Sequence, residues 1–144
     1  MKNLLVVIVL MCSFFASKAQ IKMDSVALNK KRNVPVTQFG VASFYADKFE
    51  GQRTCTDAVF TQKKLTAACN TLPLNVWIKV TNLRNNKSVM VKINDRMHPS
   101  NPRLIDMSKA AAVALGYTGH GLTKVKIEYL GKNKPDEAEI AGNN

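Results

Sequence analysis

The sequence predicts a mainly β domain whose short strands close into a barrel. Several stretches alternate apolar and polar residues with the two-residue period of half-buried strands. One stretch alone carries both the composition and the end signals of a helix. Strands that so outnumber helices favour a closed barrel over a parallel sheet covered by helices.

Taken in order, "QFGVASFYA" (38–46) opens the domain with aromatic and β-branched residues around Gly40. A short helical turn is expected at Lys64–Ala68. "NVWIKVTNL" (75–83) puts Val76, Ile78 and Val80 on one face and Trp77 on the other. "KSVMVKIND" (87–95) repeats the alternation through Val89, Val91 and Ile93. Between these two runs, Asn85-Asn86 suits left-handed turn geometry and predicts a β-hairpin. "MSKAAAVALG" (107–116) is Ala-rich, with Ser108 near its start and Gly116 at its end, and reads as a helix. "LTKVKIEYL" (122–130) alternates Val125, Ile127 and Tyr129 against Lys124, Lys126 and Glu128.

The flanks differ in character. Residues 1–19 combine Lys2, an apolar stretch from Leu4 to Phe15 and the small-x-small ending Ser17-Lys18-Ala19, the pattern of a secretory signal peptide. The stretch is short for a bilayer span. Cys12 follows Met11 rather than a small residue, so no lipid anchor and no stable membrane insertion after cleavage are expected. The chain is then exported to the periplasm or cell envelope. Residues 20–37 are polar and basic and read as a flexible linker. The domain covers 38–131, and the charged segment 132–144 reads as a disordered tail.

The 144 residues suit one domain, and 46% hydrophobic content is enough for a core. The net charge of +11 points to an anionic partner. Nucleic acid is disfavoured, because the basic residues lack regular aromatic interleaving and the chain is exported. Removing the leader leaves Cys55 and Cys69, an even pair that predicts a disulfide contributing about 3 kcal/mol. Their spacing is no metal motif and the two His residues lie far apart, so no metal and no cofactor are expected. A monomer is expected.

Asp95 is the carboxyl with the most chemical promise. It closes an alternating strand, at the rim of the predicted barrel, where it is partly shielded from water. Burial favours the neutral form of such a group and a nearby Arg96 or Arg103 the charged form. A carboxyl that holds a proton there can pass it to a leaving oxygen. A plain Asn94-Asp95 turn, with the acid paired to an arginine, accounts for the same residues, and on spacing alone is the stronger reading. Asp106, just before the helix, suits a capping role. Asp57 reads as a solvated turn, and His98 and His120 as surface positions. Trp77 lines a sugar groove or packs under a loop.

"GVASFYADKFEGQRT" (40–54), "LTAACNTLPLNVWIKVTNL" (65–83), "SVMVKINDR" (88–96) and "RLIDMSKAAAVALG" (103–116), in this order, resemble the rare lipoprotein A (RlpA-like) family. The resemblance implies a six-stranded double-psi β-barrel with one or two short helices, shared with expansins. It also implies a lytic transglycosylase, which cuts the linkage between N-acetylmuramic acid and N-acetylglucosamine in peptide-poor peptidoglycan strands and leaves 1,6-anhydromuramyl ends. Asp95 falls on the family's catalytic acid, and Tyr45, Thr54, Asp57, Asn94 and Arg96 become the substrate-binding or supporting choices. Many members have a Glu where this chain has Ala58 and a His where it has Cys69. A non-catalytic wall-glycan binder of expansin type is the alternative.

Overall fold

The computed structural model describes residues 37–136. The expected leader, nearly all of the linker and the tail beyond residue 136 lie outside the described residues. Six strands are present: β1 (Thr37–Phe44), β2 (Thr66–Ala68), β3 (Trp77–Asn82), β4 (Ser88–Asp95), β5 (Ile105–Met107) and β6 (Thr123–Gly131). One α-helix, α1 (Lys109–Leu115), joins β5 to β6, and a 3-10 turn covers Asp47–Phe49. The strands close in the order β1-β5-β2-β4-β3-β6.

The alternating runs form the strands they predict because one side of each can be buried. Ile78 and Val80 of β3, Val91 and Ile93 of β4, and Val125 and Ile127 of β6 all point into the core. Ile105, Met107 and Leu115 fill it from the β5–α1 side. Burying one such side chain stabilises by about 1.5–3 kcal/mol, so a one-residue slip of register would be costly. The hairpin joining β3 to β4 turns where expected, with Asn86 in the left-handed region at φ 59. Gly40 lets β1 pass under Leu104, whose Cβ would lie 2.6 Å from any Cβ at position 40.

The expected helix forms over a shorter span. Ser108 caps it, its side chain accepting from the Ala111 N–H, and Gly116 ends it at φ 72. The expected helical turn at Lys64–Ala68 is instead β2, because Thr66, Ala67 and Ala68 pair with β4 on one side and Ala67 and Ala68 with β5 on the other. Asp106 does not cap the helix. It makes a bidentate pair with Arg103, at 2.8 and 2.9 Å.

A buried amide ties hairpin, helix and β6 together. The Asn82 side chain donates to the Leu115 carbonyl at 2.9 Å and accepts from the Thr123 hydroxyl at 2.8 Å and the Arg84 N–H at 3.0 Å. Asn85 donates to the same Leu115 carbonyl at 2.9 Å. The helix end, which would otherwise leave a carbonyl unpaired, is thus satisfied from the hairpin. Asn82→Ala strips partners from buried groups and is expected to cost about 2–3 kcal/mol, read as a lower urea midpoint with an unchanged denaturant slope.

Candidate active site

The site is built at the end of β4. There Ala67 pairs with Ile93 but Ala68 pairs with Asp95, so β4 carries one extra residue. Such a bulge bends the strand and re-aims the side chains around it. Asn94 and Asp95 are both half-buried at this point.

Three donors converge on the Asp95 carboxyl. The Tyr45 hydroxyl donates to Oδ2 at 2.8 Å. The Cys55 backbone N–H donates to Oδ1 at 2.9 Å, and so does the Arg96 backbone N–H at 2.9 Å. No described cation pairs with it. The turn reading, with an arginine on the acid, is therefore not what the chain does. The Arg96 guanidinium turns away and donates to the Cys69 carbonyl and, at 2.7 Å, to the Leu72 carbonyl. Arg103 is taken by Asp106.

Each donor is held from behind. Tyr45 follows β1, and its N–H donates to the Met107 carbonyl at 3.0 Å. Its ring packs on Phe60 at 4.4 Å and edge-on to Phe49 at 5.7 Å. The Gln62 amide donates to the Tyr45 carbonyl at 2.8 Å, while its oxygen accepts from the Lys109 N–H at 2.8 Å, linking Tyr45 to the start of α1. Cys55 lies at the tip of a small loop zipped by bonds between Gly51 and Phe60, Phe60 and Gln52, and Thr54 and Ala58. Asp57 turns that tip at φ 62. Buried Thr54 bonds the Thr56 hydroxyl at 3.0 Å, and Thr56 donates to the Asn94 carbonyl at 3.0 Å.

The candidate residues thus divide. Tyr45 touches the acid directly. Thr54 acts from behind, through Thr56. Arg96 contributes its backbone N–H rather than its charge. Asn94 lines a hollow of about 220 Å³ with Thr56 and Ala58. Asp57 is exposed on the loop tip and makes no bond to Asp95. Thr56 and Gln62 were not anticipated, and the Cys55 amide carries no side-chain signal at all.

The expected disulfide is absent. Cys55 is exposed and Cys69 buried, and both are free thiols. Each thiol has its own neighbour. Cys55 Sγ lies 3.8 Å from the Asn94 carbonyl oxygen, and Cys69 Sγ lies 3.4 Å from Thr71 Oγ1. Their backbones flank one residue, since the Cys69 N–H donates to the Asp95 main-chain carbonyl at 3.2 Å.

Burial, then the hydrogen bond and charge of Asp95, push the Tyr45 hydroxyl well above its ordinary value. Tyr45 therefore remains a protonated donor throughout the physiological range. The Cys55 thiol is also pushed up, by partial desolvation first and the neighbouring Asp95 charge second.

A family model described as "Lytic transglycolase" matches residues 37–127. An endolytic peptidoglycan transglycosylase RlpA of Haemophilus influenzae is 48% identical over 91 residues, covering 63% of this chain and 32% of that protein. One of Rickettsia bellii is 48% identical over 105 residues, covering 69% of this chain and 46% of that protein. The chain thus spans about a third to a half of the length of the curated relatives it matches. An expansin of Clavibacter michiganensis, solved with cellohexaose, shares the fold at a TM-score of 0.53 and 16% identity, over 69% of this chain and 53% of that one.

The Cys55 thiol reports the charge beside it. Asp95→Asn removes one of the causes that hold the thiol protonated, so more thiolate is present at pH 8. Alkylation of Cys55 by iodoacetamide, followed by mass spectrometry of its peptide, is expected to quicken several-fold, while Asp57→Asn leaves it unchanged.

Proposed function

The chain belongs to the lytic transglycolase family of double-psi β-barrels, and from that premise we propose that it is an exported enzyme of the cell envelope. It cuts the bond between N-acetylmuramic acid C1 and N-acetylglucosamine O4 in peptide-poor glycan strands. The observation that carries the proposal is a half-buried carboxyl held by three donors and no cation.

A carboxyl group offers about four lone-pair positions. The two backbone N–H groups occupy both on Oδ1, and Tyr45 occupies one on Oδ2. The position left on Oδ2 is the one through which a proton can be passed to substrate. Asp95 gives this proton to O4 as the C1–O4 bond breaks, and C1 becomes oxocarbenium-like. The C6 hydroxyl of the same muramyl sugar attacks C1, and its proton returns to Asp95. The products are a free O4 hydroxyl and a 1,6-anhydro end, and the acid is regenerated.

No water is activated, so a second carboxylate is not required as it is in most glycoside hydrolysis. The attacking hydroxyl is already in the ring that it closes, which supplies proximity. The three donors favour the step because each bond strengthens as the carboxyl becomes an anion. Charge-assisted bonds of this kind contribute about 1.5–3 kcal/mol each. Arg96 acts here as a brace for the loop that carries Cys69 and Leu72.

One observation favours the binding-only reading. Ala58 supplies no carboxylate beside the site, and the next acid across the barrel, Asp106, is neutralised by Arg103. The two readings separate in one assay. Peptide-free strands incubated with the protein are expected to yield 1,6-anhydromuramyl ends by mass spectrometry. Saturable binding without such ends would identify a wall-glycan binder instead.

Asp95→Asn is expected to lower product formation by at least about a hundredfold while the circular dichroism spectrum stays unchanged. Tyr45→Phe removes one of the three donors and is expected to reduce kcat by about tenfold with little change in KM.

A further inference from the structure

The strands that carry Asp95 have a second, outward side. In the antiparallel register Trp77 stands opposite Lys92 and Lys79 opposite Met90. The same alternation that buries Ile78, Val80, Val91 and Ile93 brings these four residues together on the outer wall. With Lys64 and Lys134 they line an open groove of about 660 Å³. Lys134 Nζ lies 5.8 Å from the centre of the Trp77 ring. Among the described residues, none of the four lysines is in an ion pair.

Four lysines around an aromatic and thioether floor repel one another unless an anion lies between them. Trp77 is half-buried, and Leu65, also on the lining, is exposed. A groove with one exposed leucine suits a chain lying along it better than a lipid surface, which calls for several protruding apolar groups. The ring offers a flat apolar face to the C–H side of a sugar. The lysines select carboxylates. The hollow lined by Asn94 and Thr56 shares Lys64, Thr66 and Lys92 with this groove, so the two adjoin. A strand seated on Trp77 therefore has a path toward the end of β4.

We propose that the Trp77 groove is a second binding site, for the carboxylate-bearing part of a glycan strand, outside the bond that Asp95 cleaves. In a peptide-free strand these carboxylates are the lactyl groups on alternate sugars. The choice of strand rests on the lytic reading above, while the preference for an anionic, chain-like sugar polymer rests on the groove alone.

Trp77 is the chain's single tryptophan, so its fluorescence reads this groove and nothing else. The full chain carrying Asp95→Asn, which leaves strands uncut, is titrated with three probes. These are peptide-free glycan strands, the same strands with methyl-esterified lactyl groups, and vesicles containing phosphatidylglycerol. A saturable emission shift is expected with the first and not with the second. Lys79→Gln with Lys92→Gln is expected to weaken it about tenfold, and Lys79→Arg with Lys92→Arg to restore it. Equal affinity for esterified strands overturns the proposal. So does a response to vesicles alone, which assigns the groove to a membrane, and so does no response to any probe. Product analysis of the unmutated chain runs alongside. Saturable Trp77 binding without 1,6-anhydro ends removes the lytic reading and leaves the groove standing, and cleavage without any Trp77 response does the reverse.

Discussion

The pairing register across β1, β5, β2 and β4 fixes where the Asp95 carboxyl sits in this barrel. β1 runs with β5, β5 against β2 and β2 with β4, so β1 and β4 run in opposite directions, and the register rather than a shared strand end brings Tyr45, next after β1, within reach of Asp95. The register then runs Ser43, Asp106, Ala68 and Asp95 across four adjacent strands. Two acids lie in this row, one residue apart. Arg103 neutralises Asp106, and only Asp95 is left to accept neutral donors. The barrel thus leaves one carboxyl of the row without a cation by pairing the other.

This division also separates two uses of charge. The acid is held by dipoles, from one phenol and two peptide N–H groups. The lysines of β3 and β4 point outward, in the opposite phase of the same strands. A cation beside a carboxyl favours the charged form and so removes the proton that it would give, whereas a cation on the outer wall attracts an anionic polymer without touching the acid. Strand alternation gives both properties to one pair of neighbouring strands.

Much of the barrel was legible from residue order, and the limits follow from length. β1, β3, β4 and β6 each carry six to nine residues, long enough for a two-residue period to stand out. β2 and β5 have three residues each, too few for any period, and their strand geometry comes from neighbours on both sides. The family resemblance supplied the strand number and singled out Asp95. Tyr45 was legible through the same resemblance. The free Cys55 and Cys69, the Arg103 partner of Asp106 and the turned-away Arg96 guanidinium were not, because each is decided by direction rather than by residue type. Trp77 was legible as outward-facing from alternation, but its lysine surroundings required the β3–β4 register.

Two of the three groups that grip Asp95 are peptide N–H groups, which belong to the main chain and not to the side chains of Cys55 and Arg96. Those two bonds therefore survive a change of residue type at positions 55 and 96, even where the change at 96 costs the guanidinium bonds to the Cys69 and Leu72 carbonyls. Proline is the exception at both, because it alone deletes the hydrogen. Part of the grip on Asp95 is thus recorded in the main chain and invisible to any comparison of side chains.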